Sequence, residues 1–458
     1  MIKKSFCFVS FVFFLHIVFS QALKSQAVVI NFNPNVNVNS EAAALFNLDA
    51  DTTVYQKNGA KKMYPASTTK IMTYIVVVES VKDLENTKVR VPIGTTKMLQ
   101  GTDSSVAGLK DGQEFTVKNL LESMMIPSGN DSSVVLANFV GQSASESPSA
   151  LEKIQEKNIN NFVDRMNEKA QELGCANTHF KNPSGLHDNE HFTTACDLIK
   201  MTKYALNLPL FKETVIKTEV NVNGVTMATT NYSIDESRGG KQYYPYANGI
   251  KTGYTDEAGR CLVLGAKKSD QQYICVILGD HSDKGKHHED ARNLCNWAFE
   301  NLSLKLIVGK NKVVGKVGVN YAWKQDTLQL VPMEDVYCLL PQNVDVSSVN
   351  IAIETPKSVN APINAGQKIG IAKFEYANQE LKTVGLMAMT TVEESQLVHF
   401  SSITKEVFTS IWIKICIASI ALFLCVINLK TLLDKKRKSK INNIQKYKKY
   451  KDQQSHRR

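Results

Sequence analysis

Tyr64-Pro65-Ala66-Ser67-Thr68-Thr69-Lys70-Ile71-Met72-Thr73 is the stretch on which the reading of this chain turns. The residues after it, Tyr74-Ile75-Val76-Val77-Val78, keep apolar groups on every side of a helix predicted over 67–80. A helix that is apolar all round is a buried helix. Ser67 and Lys70 stand three apart and therefore share a face, within reach of each other. A lysine in such a helix is costly while charged, so burial lowers its pKa, and a neutral amine beside a hydroxyl can take the hydroxyl proton. The free N–H groups at the helix start can also stabilise an oxyanion near Ser67. Ser-x-x-Lys is nevertheless a common tetrapeptide and needs support from elsewhere in the chain.

Two further segments supply it. Pro127-Ser128-Gly129-Asn130 lies between the apolar run Leu120–Ile126 and a helix beginning near Asp131; alone, its Ser and Asn are a turn and a cap. Lys251-Thr252-Gly253 follows Gly249-Ile250 on a predicted strand. Gly253 lets a ligand backbone approach, while Lys251 and Thr252 offer donors to a carboxylate. Around these motifs, strands alternate with helices. Two short strands flank Asp49-Ala50-Asp51, and several helices run through 141–206, the clearest being 153–173. Strands are then expected at Ile250–Thr255, Cys261–Lys267 and Tyr273–Gly279, with a closing helix near 287–301. This pattern predicts one α/β (α+β) domain over 41–303. From 304 to 395 short alternating runs separated by turn residues predict a small all-β domain without a nucleophile–base set.

Ser-x-x-Lys, Ser-x-Asn and Lys-Thr-Gly, in this order on a helix start, a loop and a strand, resemble the low-molecular-mass penicillin-binding proteins of the serine D-Ala-D-Ala carboxypeptidase family. The resemblance extends to Phe180-Lys181-Asn182-Pro183-Ser184-Gly185-Leu186-His187, to Thr193–Leu198, to Gly249–Gly259 and, in the β-rich part, to Asn360–Gly370, and so covers roughly residues 41–395. It implies a β-lactamase/transpeptidase-like catalytic fold. It also implies that Ser67 attacks the carbonyl between two D-alanines of a peptidoglycan stem peptide, forming an acyl-enzyme that water hydrolyses, and that β-lactams acylate the same serine. By the same resemblance Lys70 is the general base, Ser128 the proton relay and Asn130 a partner of the substrate amide. Lys251, Thr252 and Gly253 belong to the carboxylate-binding strand, and the N–H groups of Ser67 and Tyr254 to the oxyanion hole. Many relatives carry a carboxylate-binding arginine after the last strand. Here that loop reads Gly285-Lys286-His287-His288, and His287 is the best-matching position. An imidazole serves a carboxylate as a cation only when protonated, so KM is expected to climb between roughly pH 6 and 8. No cofactor and no metal are expected. A class A β-lactamase would need a carboxylate to activate the deacylating water, and no Glu-x-x-Leu-Asn occurs between Asp131 and Lys251. A catalytically idle muropeptide-binding envelope protein is the other alternative.

The ends of the chain address location. The net charge is +10, from 54 Lys+Arg against 44 Asp+Glu, and residues 430–458 hold twelve of those bases with only two acids. The remainder is neutral, which argues against a nucleic-acid partner. Lys3-Lys4 followed by apolar Phe6–Phe19 and Ser20-Gln21-Ala22 resembles a signal peptide over 1–22, with a linker over 23–40. Val407–Leu429, 23 residues, suffices for roughly 30 Å of hydrocarbon and is expected to be one transmembrane helix after a stalk at 396–406. The basic tail 430–458 is then cytoplasmic and the catalytic domain extracytoplasmic, in a single-pass protein of the cell membrane. The six cysteines between these segments form no Cys-x-x-Cys pair and are expected to be small buried thiols.

Overall fold

The computed structural model describes residues 32, 34–102, 104–142, 153–282, 285–400 and 410–455, with side chains to 449. The signal-peptide segment, most of the linker and residues 401–409 of the stalk and span lie outside them. The described chain divides into two units. The first runs to Gly309 and takes in Asp335–Ala352 and Lys373–Thr383; the second holds Lys310–Glu334, Ile353–Ala372 and the residues from Val384.

The first unit is organised by an antiparallel sheet of β1 (Ala42–Asn47), β2 (Thr52–Lys57), β3 (Ala247–Thr255), β4 (Gly259–Lys268) and β5 (Gln271–Asp280), in the order β2-β1-β5-β4-β3. Successive side chains of a strand point to opposite faces, and here both faces are apolar. Ala42, Ala44 and Phe46 of β1 join one core with Val263 and Val276, whereas Ala43 and Leu45 join the other with Leu264 and Ile277. The first core is closed by α1 (Lys70–Ser80), α2 (Val117–Met125), α3 (Asn130–Val140), α4 (Glu156–Glu172) and α5 (Ala195–Ala205). The second is closed by α6 (Lys286–Asn301), through Ala291, Leu294 and Ala298. Helices on both faces explain why β4 and β5 are near-continuous apolar runs. The sheet order leaves β3 as an edge strand, with one row of backbone groups unpaired to other strands.

The expected helix over 67–80 divides in two: a turn of 3-10 helix at Ala66–Thr69 leads into α1. Every residue of α1 from Lys70 to Val77 is buried, as its all-round apolar pattern requires. Five of the six central cysteines are buried and Cys196 is half-buried. In the second unit, Gly315–Asn320 pairs antiparallel with Thr327–Pro332 and parallel with Ser358–Asn360. Thr327–Pro332 also pairs antiparallel with the end of the strand Gln379–Ala388. A helix, Ile411–Ser455, is long and apolar enough in its first part to cross a membrane.

Candidate active site

Lys70 is fully buried, and its Nζ lies 2.8 Å from Ser67 Oγ, 2.6 Å from Asn130 Oδ1, 2.9 Å from the Ser184 carbonyl oxygen and 3.5 Å from Ser128 Oγ. The chemistry follows from counting hydrogens. An amide oxygen and a backbone carbonyl can only accept, so they take both hydrogens of a neutral amine. The lone pair is then left for one of the two hydroxyls, and Ser67 is the nearer. Burial, and then the charge of Lys251, hold the Lys70 amine well below its ordinary pKa, against a smaller opposing effect of Asp131. Proton uptake from Ser67 is thus available to this amine.

Three segments converge to build this arrangement. Gly253 on β3 approaches the 3-10 turn so closely that a Cβ there would sit 2.9 Å from the Ser67 nitrogen. Ser128 is held at φ +66°, a left-handed conformation uncommon for serine, which aims its hydroxyl inward. Asp131, one residue after Asn130, accepts from the nitrogens of Ala107, Gly108 and Leu109 and fixes the loop over the cleft. The third segment supplies the Ser184 carbonyl. Asn182 Oδ1 accepts from the nitrogens of Ser184, Gly185 and Leu186, and Thr73 Oγ1 on α1 donates to the Pro183 carbonyl at 2.6 Å. A side-chain pattern does not report a carbonyl ligand, so sequence reasoning missed Ser184; the turn signature Asn-Pro-Ser-Gly was the available signal.

The cleft in front of Ser67 encloses about 580 Å³ and is lined by Ser128, Asn130, Thr252, Gly253, Tyr254 and His287, among others. Thr252 Oγ1 lies 2.7 Å from Thr230 Oγ1, and Tyr254 is exposed. Lys251 behaves differently from the expectation that it presents a donor to a carboxylate. It is 1% exposed, donates to the Thr252 carbonyl at 3.0 Å, and burial lowers its pKa to about 7.

The profile of the D-alanyl-D-alanine carboxypeptidase family, peptidase S11, matches residues 28–282, and that of the penicillin-binding protein 5 C-terminal domain matches residues 303–394. The chain belongs to the D-alanyl-D-alanine carboxypeptidase family. It is 30% identical over 364 residues to the D-alanyl-D-alanine carboxypeptidase DacF of Bacillus subtilis, covering 79% of this chain and 88% of that one. It is 30% identical over 252 residues to the D-alanyl-D-alanine carboxypeptidase of Streptomyces sp. K15, covering 54% of this chain and 83% of that one. Penicillin-binding protein 5 of Haemophilus influenzae shares the fold with a TM-score of 0.67, 24% identity and coverage of 79% of this chain and 99% of that one. The enzyme is a serine D-Ala-D-Ala carboxypeptidase, a hydrolase, with a catalytic domain followed by an all-β domain.

His287 requires a correction to its expected behaviour. It lies on the cleft wall, but its ring is largely buried, with Nδ1 3.4 Å from Asp280 Oδ2. Burial pushes its pKa down to about 4, despite the opposing Asp280 charge. The imidazole is therefore neutral at pH 6–8, and the climb in KM expected from its deprotonation has no source. The KM–pH profile of a His287→Gln variant is expected to keep the wild-type shape over this range; a climb present in the wild type and absent from the variant would restore the imidazolium reading.

Proposed function

We propose that Ser67 is the nucleophile and Lys70 its general base. Ser67 Oγ attacks the carbonyl carbon of the penultimate D-alanine while its proton passes to Lys70 Nζ. The C–N bond then breaks, and that proton reaches the leaving amine through Ser128, releasing D-alanine. Water next attacks the ester, giving up a proton to Lys70, and the Ser67 hydroxyl is restored. Asn130 and the exposed edge of β3 hold the peptide, Thr252 binds near its terminal carboxylate, and the N–H groups of Ser67 and Tyr254 face the developing oxyanion. One observation carries this reading. The two hydrogens of a neutral Lys70 have obligate acceptors, leaving its lone pair for the Ser67 hydroxyl at 2.8 Å.

The substrate proposed is the peptidoglycan stem pentapeptide ending D-Ala-D-Ala, whose trimming limits cross-linking, with β-lactams as covalent inhibitors. A synthetic pentapeptide should release D-alanine stoichiometrically with the tetrapeptide. A chain that is labelled by a fluorescent penicillin yet releases none would be a binding protein instead.

Residues 41–303 are proposed as the catalytic domain and 304–395 as the β-rich domain. The helix from Ile411 is proposed as a single membrane anchor, supported by its length and apolar character and by the basic residues that follow it. With the catalytic domain outside, protease added to intact protoplasts should release an active soluble fragment, and an epitope tag after Arg458 should stay protected. Digestion of the tag would reverse the orientation.

A further inference from the structure

A cation holds a terminal carboxylate more strongly than neutral donors do, and the residues named so far leave that place open. Lys251 is buried with its amine turned to a backbone carbonyl, and His287 is neutral at working pH. Among the described residues lining the cleft, Arg260 is the one lysine or arginine. We propose that Arg260, on β4, binds the terminal carboxylate of the substrate. This inference rests on the carboxypeptidase reading above and goes beyond it by assigning a residue outside the three motifs.

The ladder places Arg260 directly opposite Tyr254 of β3, so the two side chains share a sheet face. The guanidinium carbon lies 5.1 Å from the Tyr254 ring centroid. Thr252 stands two residues back on the same face, roughly 7 Å along the strand, within the span of an arginine side chain. Arg260 thus borders the wall that carries the Thr252 hydroxyl. Its donors are unspent. Nε is buried without a hydrogen-bond partner, and no carboxylate of the described residues lies within ion-pair distance of the guanidinium, although Asp256 and Glu257 line the same cleft. Such a side chain is held in place by the tyrosine ring and has a planar fork available, which matches a carboxylate in two parallel hydrogen bonds. An arginine on the strand beside the Lys-Thr-Gly strand would do the work that the loop at 285–288 lacks a guanidinium to do.

The test uses the full chain with an acylated D-Ala-D-Ala peptide, as the free acid and as the C-terminal carboxamide. Wild type should prefer the free acid. Arg260→Gln should lose roughly 10- to 100-fold in kcat/KM on the free acid, mainly through KM, as expected for a charged hydrogen-bonded pair, and change less than about two-fold on the carboxamide. Arg260→Lys, which keeps the charge and much of the stem, should fall between them. Equal losses on both peptides would make Arg260 a structural residue and overturn the proposal, as would an unchanged preference in Arg260→Gln or a lysine variant as poor as the glutamine one. Failure of the underlying reading would look different: wild type itself would release no D-alanine from the free acid.

Discussion

Ser67→Ala is expected to abolish the covalent β-lactam adduct, seen as the loss of the mass increment on the intact protein, and to lower D-alanine release by roughly 10⁴-fold or more. The size of the effect follows from the arrangement. Among the described residues, no other lining the cleft offers a hydroxyl 2.8 Å from a base whose hydrogens are already committed. Ser128 Oγ is 3.5 Å from the same amine, at the limit of a hydrogen bond. The fold should survive, because Ser67 is only half-buried and loses one hydrogen bond worth about 1 kcal/mol. Lys70→Met keeps the buried stem and removes the amine, and should fall nearly as far in acylation rate. The sign of the pH dependence follows from the same group. Burial disfavours the charged amine, so lowering the pH refills the lone pair with a proton, and acylation by a β-lactam should slow on the acid side. A Ser67→Ala protein that still gains the adduct would remove Ser67 from the mechanism. Acylation that quickened toward acid pH would remove neutral Lys70 as the base.

The parts of this site that could be read from the sequence were those whose function resides in a side chain at fixed spacing. Ser67 and Lys70 are one helical turn apart, and the apolar run behind them requires burial; both facts are local. The strands from Ala247 to Asp280 also announced themselves, because a sheet covered on both faces needs unbroken apolar runs. What remained hidden depends on tertiary approach. The Ser184 carbonyl is a ligand by position and would be the same with another residue there. Ser128 and Ala66 adopt left-handed backbone conformations that neither residue type signals. Arg260 faces the cleft only because the β3–β4 ladder sets it against Tyr254, and a slip by one residue would turn it to the other face. The burial of His287 was hidden for a related reason. Sequence places a helix start near it, but does not show that the first turn of α6 folds the ring inward against Asp280.

Gly185→Ala is expected to lower the acylation rate on the order of 10²-fold, although Gly185 carries no chemical group of its own. A Cβ at this position would lie 1.9 Å from the Ala66 carbonyl oxygen and 2.9 Å from Thr69 Oγ1, and the residue sits at φ +87°. The two nearest atoms it would strike, the Ala66 carbonyl oxygen and carbon, are backbone of the turn that carries Ser67, so the clash cannot be relieved by rotating a side chain. Either the 182–186 segment retreats, taking the Ser184 carbonyl away from Lys70, or the turn moves and takes the nucleophile with it. Overpacking of this kind costs about 1–3 kcal/mol, with roughly 1 kcal/mol more for a left-handed alanine. A displacement near 1 Å at reacting groups costs on the order of 10²-fold in rate. Gly174→Ala separates the two contributions, because Gly174 has φ +71° but nothing within 4 Å of its added Cβ. It should lose only the left-handed increment in thermal stability and acylate at the wild-type rate. Should Gly185→Ala match Gly174→Ala in both melting temperature and β-lactam acylation, the close approach of residues 182–186 to the nucleophile turn would have no part in setting the geometry of Lys70.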